Sequence, residues 1–384
     1  MTQSLSDFNI ILISLDGMRH DKIHLSENIR KLIENSTYFS NMFTVSPYTL
    51  ASHHAIFSGM QACQNGVDAY YHMFRFKKDE ITTLTELLQE QNYYTCCDIA
   101  NKTLLPEKGF DEFNIYDEND IDFQQRHEDI ISRLSKNEKF FLFLQYNEQH
   151  KHLVQDVMKK YDPKNNDDDY YSNQEQNEKR YDSYMPDCDK YVGKILEVLK
   201  KLQIDKKTIL ILFSDHGTSL GERKGERFYG VYLYDYTLDV FCIIKIPGIS
   251  PQEVKQQCRT IDIFPTITNF ANINLQNKSI EIPAKDLWDI VEKRDTVERE
   301  LFAETGGLYG FWPSPKKHNV FCVRKNQKKI IFNMTPNTFE FYDLEKDPSE
   351  NNNIFDENNI EMLDYKNILF DYLKKFNIDT SPGI

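Results

Sequence analysis

Long hydrophobic runs and patterned cysteines are both missing from this sequence of 384 residues. The longest apolar runs, Phe140–Leu144 and Ile209–Phe213, fall far short of the ~18 residues that a membrane-spanning helix needs. The first residues carry neither a cationic region nor a cleavage site, so they predict a leading strand instead of a signal peptide. The seven cysteines follow no metal-binding or disulfide spacing, which is typical of a reducing compartment. We therefore expect a cytoplasmic protein without a membrane anchor.

Positive charge is also scarce in this chain. It has 46 Lys and Arg residues against 60 Asp and Glu residues, which gives a formal net charge of -14. Nucleic acids and anionic membranes attract proteins of the opposite charge, so we expect neither of them as a partner. An anionic substrate must then be held by local positive charge or by a metal ion. The hydrophobic content of 40% is enough for a folded core, which excludes a wholly disordered chain.

Three strands with the pattern of full burial are the main structural signal. Residues 9–15, 139–146 and 208–213 form almost continuous apolar runs, as expected of strands that are covered on both faces. Helical patterns separate these runs, which predicts an α/β fold with a mostly parallel sheet. Further along the chain, shorter strands and one helix predict a smaller α+β subdomain. We therefore expect a catalytic domain over 1–275 and a C-terminal subdomain over 276–384.

A polar insertion interrupts the predicted catalytic domain at about residues 155–182. This segment is rich in Asp, Asn, Lys and Tyr. Such a composition is typical of a solvated loop or a partly disordered segment. The alternative is a lid over a site, in which case the insertion would determine specificity.

Residues that could hold a metal ion follow two of the buried strands. Asp16 comes after the first strand, and the pair Asp215 and His216 comes after the third. In parallel sheets, ligands bind beyond the carboxyl ends of the strands. Thr49 and Ser52 lie where a loop passes into a helix, whose free backbone N–H groups can bind an anion. Two carboxylates, an imidazole and a hydroxyl form a suitable ligand set for one divalent cation.

Six segments of the chain form an ordered set of landmarks. The first three are NIILISLDGMRHDKI, SPYTLASHHAIFSGMQACQNGV and TILILFSDHGTSLGERK. The later three are YLYDYTLDVFCIIKIPG, RTIDIFPTITNFANI and FEFYDLEKDPSENNNI. Together they resemble the sulfatase-like branch of the alkaline phosphatase superfamily over about residues 8–355, with a divergent middle. The resemblance implies an alkaline-phosphatase-like α/β/α sandwich and an ester hydrolase or transferase.

The resemblance also implies a role for each residue that matches a family landmark. Thr49 falls on the nucleophile, which also contacts the metal, and Asp16, Asp215 and His216 fall on the other metal ligands. We expect one divalent ion, which could be Mn²⁺, Zn²⁺, Mg²⁺ or Ca²⁺. The remaining implied site residues are Ser52, Lys102 and Lys224 as substrate-binding groups, and His53 and His150 as catalytic groups.

Several positions depart from the family pattern. Gly17 stands where sulfatases carry a second aspartate, and Ala51 and His53 replace the proline and the arginine of the nucleophile segment. Tyr229 takes the place of a histidine that is typical of the segment after L-G-E. Thr49 cannot be oxidised to formylglycine, because its Cβ already carries a methyl group. We therefore expect no formylglycine cofactor.

The threonine favours a phosphate ester as the substrate. A formylglycine hydrate releases sulfate by collapsing to the aldehyde, and a threonine sulfate ester lacks this exit. A threonine phosphate ester can be resolved by in-line attack on phosphorus. Threonine at this position also resembles the phosphodiesterase, phosphoglycerol-transferase and phosphoethanolamine-transferase relatives. The sequence thus predicts a metal-dependent hydrolase or transferase that cleaves a phosphate mono- or diester, for example on a glycan or polymer.

Two alternatives remain open at this level. The first is a sulfatase that hydrolyses sulfate esters without formylglycine, as the family resemblance alone would favour. The second is a degenerate family member that binds an anionic glycan, because Gly17, Ala51 and the middle of the chain diverge from the pattern. The leaving group, the acceptor and the oligomeric state also stay open.

Overall fold

The computed structural model describes residues 4–150, 167–276, 282–306, 319–378 and 380. The strands are β1 (Asn9–Leu15), β2 (Thr37–Phe43), β3 (Tyr94–Ile99), β4 (Glu112–Ile115), β5 (Phe140–Tyr146), β6 (Thr208–Phe213), β7 (Asp239–Lys245), β8 (Gln252–Val254), β9 (Cys258–Arg259), β10 (Leu301–Thr305), β11 (Val320–Lys325), β12 (Lys328–Asn333) and β13 (Thr338–Asp343). The α-helices are α1 (Glu27–Ile33), α2 (Thr49–Ser58), α3 (Ala62–Asn65), α4 (Leu84–Gln89), α5 (Phe123–Leu134), α6 (Asp167–Ser172), α7 (Gln174–Asp182), α8 (Met185–Lys201), α9 (Asp235–Leu238), α10 (Ile263–Phe270), α11 (Trp288–Val291) and α12 (Ile360–Lys375).

The central element is a nine-stranded sheet with the order β4-β3-β5-β1-β6-β7-β2-β8, in which β9 also pairs with β2. β1 lies at its centre and pairs in parallel with β5 and β6. β7 runs antiparallel to both β6 and β2. The three strands with the pattern of full burial are thus neighbours in the sheet, and the predicted α/β class with a mostly parallel sheet is confirmed.

Alternate residues of the central strand face two different helical layers. Ile11 and Ile13 of β1 pack in one cluster with residues of α1, α5 and α8. Ile10 and Leu12 pack in a second cluster with residues of α2, α4 and α10. Full burial of such side chains contributes roughly 1.5–3 kcal/mol each. The sheet therefore lies between two helical layers, as predicted for an α/β/α sandwich.

The C-terminal subdomain is built on a second sheet, with the antiparallel order β10-β11-β12-β13. Helix α12 covers one face of this sheet, where Leu369 packs with Val323. The other face packs against the central domain, where Leu301 shares a cluster with Phe43 and Leu233. The predicted α+β subdomain is confirmed, whereas the exact boundary at residues 275 and 276 stays a prediction.

The polar insertion is partly helical. Residues 155–166 lie outside the described residues, but 167–182 contain α6 and α7. Tyr170 and Tyr181 from these helices are 0% and 1% exposed, because they pack into the cluster beside β1. The expectation of a solvated loop is therefore wrong for 167–182, since buried tyrosines that a polar composition conceals anchor this part.

None of the helices in the described part of the chain combines the length and the apolar character that are needed to cross a bilayer. The two longest, α8 and α12, have 17 and 16 residues. Both also carry lysine and acidic residues along their length, which a bilayer core disfavours.

Candidate active site

The predicted site residues come together at the carboxyl edge of the central sheet. β1 and β6 are adjacent and parallel, so Asp16 after β1 and Asp215 after β6 leave the sheet at the same edge. Helix α2 begins at Thr49 and is buried along its whole length. Its first side chain reaches both Asp16 and His216. Segments that are far apart in sequence thus form one group.

The geometry of this group suits a metal ion. Asp16, Asp215 and His216 each offer one ligand atom, and these atoms all lie within 4.8 Å of one another. Thr49 Oγ1 is 3.1 Å from Asp16 Oδ1 and 3.1 Å from His216 Nε2. His216 Nδ1 donates to the carbonyl oxygen of Gly217 at 2.7 Å, which leaves the lone pair of Nε2 free in the neutral imidazole. The four side chains could therefore hold one divalent cation.

The charges in the group also fit a bound cation. Burial acts to raise the pKa of Asp16, but His150 and His216 outweigh it and hold this pKa well below its ordinary value. Burial and the charge of Asp16 raise the pKa of Asp215 to about 7. Burial acts to lower the pKa of His216, but Asp215 and Asp16 raise it to about 9, so a cation would take the place of the proton on Nε2. Asp215 Oδ2 is buried without a hydrogen-bond partner, and a cation would supply the missing interaction.

The amino end of α2 adds partial positive charge beside Thr49. Tyr48 is the N-cap residue in an extended conformation, and its side chain makes no capping hydrogen bond. The first N–H groups of a helix have no partner inside the helix. They can therefore bind an oxygen of an anionic ester at the position where Thr49 presents its hydroxyl.

His53 and Ser52, which lie on α2, both contact Asp215. His53 is 0% exposed, and its Nε2 atom is 3.1 Å from Ser14 Oγ and 3.4 Å from Asp215 Oδ2. Burial lowers the pKa of His53 to about 3, so its imidazole is neutral near pH 7. Ser52 Oγ donates to the carbonyl oxygen of Asp215 at 2.8 Å. These contacts give both residues a supporting position, and a direct role for either in the reaction stays a prediction.

His150 lies on the other side of the group, together with Tyr229. His150 Nε2 is 2.6 Å from Tyr229 Oη, and the Tyr229 ring lies 4.6 Å from the ring of His216. Gly17 adjoins them with φ +68, and a Cβ at this position would lie 3.5 Å from His150 Cδ2. The same Cβ would lie 3.0 Å from Thr218 Oγ1 and 3.6 Å from His216 Cε1, so a second carboxylate would begin in a crowded place beside the metal-ligand candidates. The structure places His150, Gly17 and Tyr229 at the site.

The two predicted substrate-binding lysines make no described contact with this group. Lys102 is exposed on the loop after β3. Lys224 forms an exposed ion pair with Asp168 of α6 at 2.8 Å. The contacts of Lys224 point toward the insertion, and the predicted role of both lysines in holding the anion stays a prediction.

Gln145 is a site residue that sequence reasoning missed. Its Nε2 atom donates to Asp16 Oδ2 at 2.6 Å, and its Oε1 atom accepts from the Ala100 N–H at 3.1 Å. It is 1% exposed. The signal was a single amide near the end of an otherwise apolar strand, which points to a polar partner at the strand end.

Glu226 is a second missed residue. One carboxylate oxygen accepts from the backbone N–H groups of Val231 and Tyr232 at 2.8 and 2.9 Å. The other oxygen accepts from Tyr236 Oη at 2.7 Å. Burial raises the pKa of Glu226 to about 7. These bonds close the loop that carries Tyr229, and nothing in the charged stretch GERKGER distinguishes this glutamate from a surface residue.

Curated proteins similar to this chain are named as sulfatases. An ulvan-active sulfatase of Formosa agariphila is 24% identical over 188 residues, which are 48% of this chain and 35% of that protein. An arylsulfatase of Clostridium perfringens is 26% identical over 200 residues, which are 51% of this chain and 38% of that protein. The matched region thus spans little more than a third of the length of these relatives.

Solved structures share the fold over almost the whole chain. A 2-O GAG sulfatase has a TM-score of 0.77 at 17% identity, over 97% of this chain and 93% of that one. A structure in complex with its substrate D-glucosamine-2-N,6-O-disulfate has a TM-score of 0.72 at 17% identity, over 97% and 98%. The phosphonate monoester hydrolase of Agrobacterium radiobacter has a TM-score of 0.73 at 14% identity, over 96% and 95%.

The prediction of a phosphate-ester substrate is wrong. The curated relatives are named for sulfate esters, and they include an N-acetylglucosamine-6-O-sulfatase in addition to the two above. The similarity to the phosphonate monoester hydrolase is a similarity of fold. The prediction depended on Thr49 alone. Sulfate and phosphate esters are tetrahedral groups of similar size, so the identity of one attacking residue does not decide between them.

Two family models cover most of the chain. The N-sulphoglucosamine sulphohydrolase C-terminal model matches residues 225–376, a range that includes the second sheet and α12. The Sulfatase model matches residues 9–273, which include β1, α2 and the residues that follow β6. That match extends over well more than half of the sequence and contains every residue of the candidate metal site. The chain therefore belongs to the sulfatase family.

Proposed function

We propose that the protein hydrolyses a sulfate ester with one divalent metal ion. The observation that carries this proposal is the buried group of Asp16, Asp215 and His216, with Thr49 Oγ1 in contact with two of its members. Family membership and the names of the relatives support the ester class. The activity itself is inferred, because those relatives extend well beyond the matched region.

Asp16, Asp215, His216 and Thr49 would hold the ion. One imidazole among oxygen ligands suits Mn²⁺ or Zn²⁺. Ca²⁺ takes about six to eight oxygen ligands, and Gly17 adds no carboxylate toward that number. When bound, the ion would neutralise charge on the sulfate oxygens and favour the deprotonated hydroxyl. We therefore propose Mn²⁺ or Zn²⁺ as the ion.

Thr49 supplies the hydroxyl that attacks sulfur in this proposal. A bond forms between Thr49 Oγ1 and sulfur, the bond between sulfur and the ester oxygen breaks, and the Thr49 proton leaves to solvent. Water then attacks the sulfur of the sulfated Thr49, which releases hydrogen sulfate and restores the hydroxyl. The net reaction consumes one ester and one water molecule. Because the methyl group on the Thr49 Cβ prevents an aldehyde, both steps are substitutions at sulfur.

His150 and Tyr229 form the proton donor for the leaving oxygen. The short contact between His150 Nε2 and Tyr229 Oη allows a proton to be shared between a phenol and an imidazole. A positioned acid of this kind contributes roughly 10²–10⁴-fold to such reactions. The proton passes to the departing alkoxide, which leaves as a neutral alcohol, and the pair regains a proton from solvent in place of the one that Thr49 releases.

A sulfated saccharide is the substrate class that we propose. The structural neighbours include a complex with a glucosamine disulfate and a complex with k-i-k-neocarrahexaose. In this chain Tyr70 and Tyr229 pack in the cluster around Tyr48, next to Thr49. Tyrosines combine an apolar ring with a polar hydroxyl, which suits the mixed polarity of a sugar ring.

We propose a cytoplasmic location, because all seven cysteines are free thiols. Six of the seven are buried, so they act as small apolar side chains in the core. Cell fractionation followed by detection of the protein tests this location. Recovery in the secreted fraction would contradict it.

A panel of esters tests the proposed function. Metal-stripped protein is reloaded with Mn²⁺, Zn²⁺, Mg²⁺ or Ca²⁺, and sulfate release is measured from 4-nitrophenyl sulfate and from O-sulfated glucosamines. We expect release with Mn²⁺ or Zn²⁺, and a loss of about 10³-fold or more in Thr49→Ala. The matched control is Thr49→Ser, which keeps a hydroxyl and should retain measurable turnover.

The outcomes of this panel separate the two parts of the proposal. Full sulfate release by folded, metal-loaded Thr49→Ala would overturn the role of Thr49 and leave the ester class intact. No sulfate release from any ester by the metal-loaded wild type would overturn the proposed function.

A further inference from the structure

A cavity lies at the opposite edge of the central sheet from the candidate active site. It has a volume of about 550 Å³ and is lined by α1, α8 and the adjoining ends of β6 and β7. Lys245 ends β7 and pairs with Leu210 in the first half of β6, whereas Asp215 lies beyond the last residue of β6. The six residues of β6 separate the two sites by roughly 20 Å at ~3.3 Å per residue.

The inner wall of this cavity is apolar. Leu196 of α8 is half-buried and lines it, with the buried Leu32 of α1, Leu199 of α8 and Leu210 of β6 beside it. At Gly193, α8 lies so close to α1 that a Cβ would come within 2.7 Å of the Asn28 side chain. The two helices therefore touch at this position of the wall, and Leu196 presents its accessible apolar surface.

Two lysines of this cavity have no carboxylate partner among the described residues. Lys200 and Lys245 form no ion pair with any residue that the structure describes, whereas Lys31 is bound to Glu27 at 2.6 Å. Burial and the positive charge of Lys200 lower the pKa of Lys245, and Asp205 on the same rim offsets only part of this effect. Glu197 also lies on the rim.

Lys200 is exposed and Lys245 is half-buried, and their ammonium groups repel each other in a chain with a net charge of -14. Acidic side chains are abundant and could have formed ion pairs with both lysines. A bound anion would remove the repulsion at this position.

We propose that this cavity binds an organic anion with an apolar tail, such as a medium-chain carboxylate. The anionic head would lie at Lys200 and Lys245, and the tail would lie against Leu196. A small polar anion would leave Leu196 in contact with water, and a neutral alcohol would leave the lysines without a partner. The site is independent of the ester chemistry at Thr49.

Isothermal titration calorimetry of the full chain with octanoate tests this site. We expect saturable binding of one octanoate, and at least about tenfold weaker binding of propionate and of octanol. Lys245→Met keeps the aliphatic stem and removes the charge. Because a charge-assisted hydrogen bond contributes about 1.5–3 kcal/mol, this variant should bind octanoate about ten- to a hundredfold more weakly.

The matched control is Lys201→Met. Lys201 adjoins Lys200 in sequence but is bound to Glu128 at 2.9 Å and does not line the cavity. This variant should bind octanoate as the wild type does. Absence of saturable binding, or equal affinity of Lys245→Met and the wild type, would overturn the proposal. Loss of octanoate binding in Thr49→Ala would also overturn it, since the ligand would then occupy the active site.

Discussion

Gln145 orients the carboxylate of Asp16. It donates to Asp16 Oδ2 at 2.6 Å while its own oxygen is held by the Ala100 N–H. The Oδ1 atom of Asp16 therefore faces Thr49 and accepts a hydrogen bond from its hydroxyl. We predict that Gln145→Leu lowers the affinity for Mn²⁺ or Zn²⁺ about ten- to a hundredfold, as loss of an outer-shell partner does at other metal sites. Metal titration of stripped protein measures this effect.

The control for that prediction is Gln89→Leu. Gln89 lies near the protein surface on α4 and bonds to Asp111, far along the chain from the site residues. Its replacement removes one similar hydrogen bond and should leave metal affinity unchanged. Equal metal affinity of Gln145→Leu and the wild type would show that Asp16 keeps its orientation without the amide.

Single residues differ in how far the sequence predicts them. Asp16, Asp215 and His216 could be placed because they follow buried strands, and parallel strands bring their carboxyl ends to one edge. The position of His53 could not be predicted, because the rotation of α2 against β1 decides whether it faces Asp215 or the substrate. Gln145 escaped notice because its partner Asp16 lies 129 positions away in sequence.

At the scale of elements, the loop from Glu226 to Tyr236 is held by one carboxylate. Glu226→Leu would leave the N–H groups of Val231 and Tyr232 buried without an acceptor. Since each such group costs about 1–3 kcal/mol, we predict a loss of about 2–5 kcal/mol in the free energy of unfolding. Turnover should also fall, because Tyr229 lies on this loop. Urea unfolding and sulfate release measure the two effects.

A conservative variant distinguishes this role of the carboxylate from a general need for charge. Glu226→Gln keeps one carbonyl oxygen, which can accept both backbone N–H groups. Burial already favours the neutral form of Glu226, so the amide should be tolerated. We expect near wild-type stability of this variant. A loss as large as that of Glu226→Leu would contradict the explanation.

Elements were predicted best where a periodic pattern extends over many residues. The helix expected near 359–375 is α12, Ile360–Lys375, with Asn359 capping its amino end. The insertion was misjudged because its helices carry few apolar residues. Tyr170 is buried there, and its hydroxyl donates to backbone oxygens of Ser219 and Arg227. The composition of a segment does not reveal hydrogen-bond partners that lie elsewhere in the chain.

At the scale of the whole molecule, the end of β10 connects the C-terminal sheet to the site loops. The Glu304 N–H donates to the carbonyl oxygen of Val45 at 3.1 Å, and Thr305 Oγ1 donates to the carbonyl oxygen of Gly230 at 2.7 Å. Val45 lies four positions before Thr49, and Gly230 follows Tyr229. The second sheet thus helps to fix both sides of the candidate active site. The sequence pattern indicates only that this sheet is part of a separate subdomain and does not reveal the connection.

Glu304 makes this junction sensitive to pH. Burial raises its pKa from 4.5 to about 7, so the folded protein binds a proton more tightly than the unfolded chain does. Stability from this group is fully present below about pH 4.5 and is lost as pH rises through about 7. The loss reaches at most about 3 kcal/mol. We predict that Glu304→Gln, which stays neutral, loses less stability between about pH 5 and pH 8 than the wild type does.

Urea unfolding at a series of pH values measures this difference. The control is Glu34→Gln, which removes one carboxylate from the exposed end of α1 and so changes the net charge equally. Because Glu34 is not buried, this variant should follow the wild-type curve. In Glu304→Gln the amide oxygen can still accept from the Cys63 N–H, as Glu304 Oε1 does at 2.8 Å, so the fold should persist. Parallel curves for Glu304→Gln and the wild type would mean that Glu304 is ionised in the folded protein and that the junction does not depend on its proton.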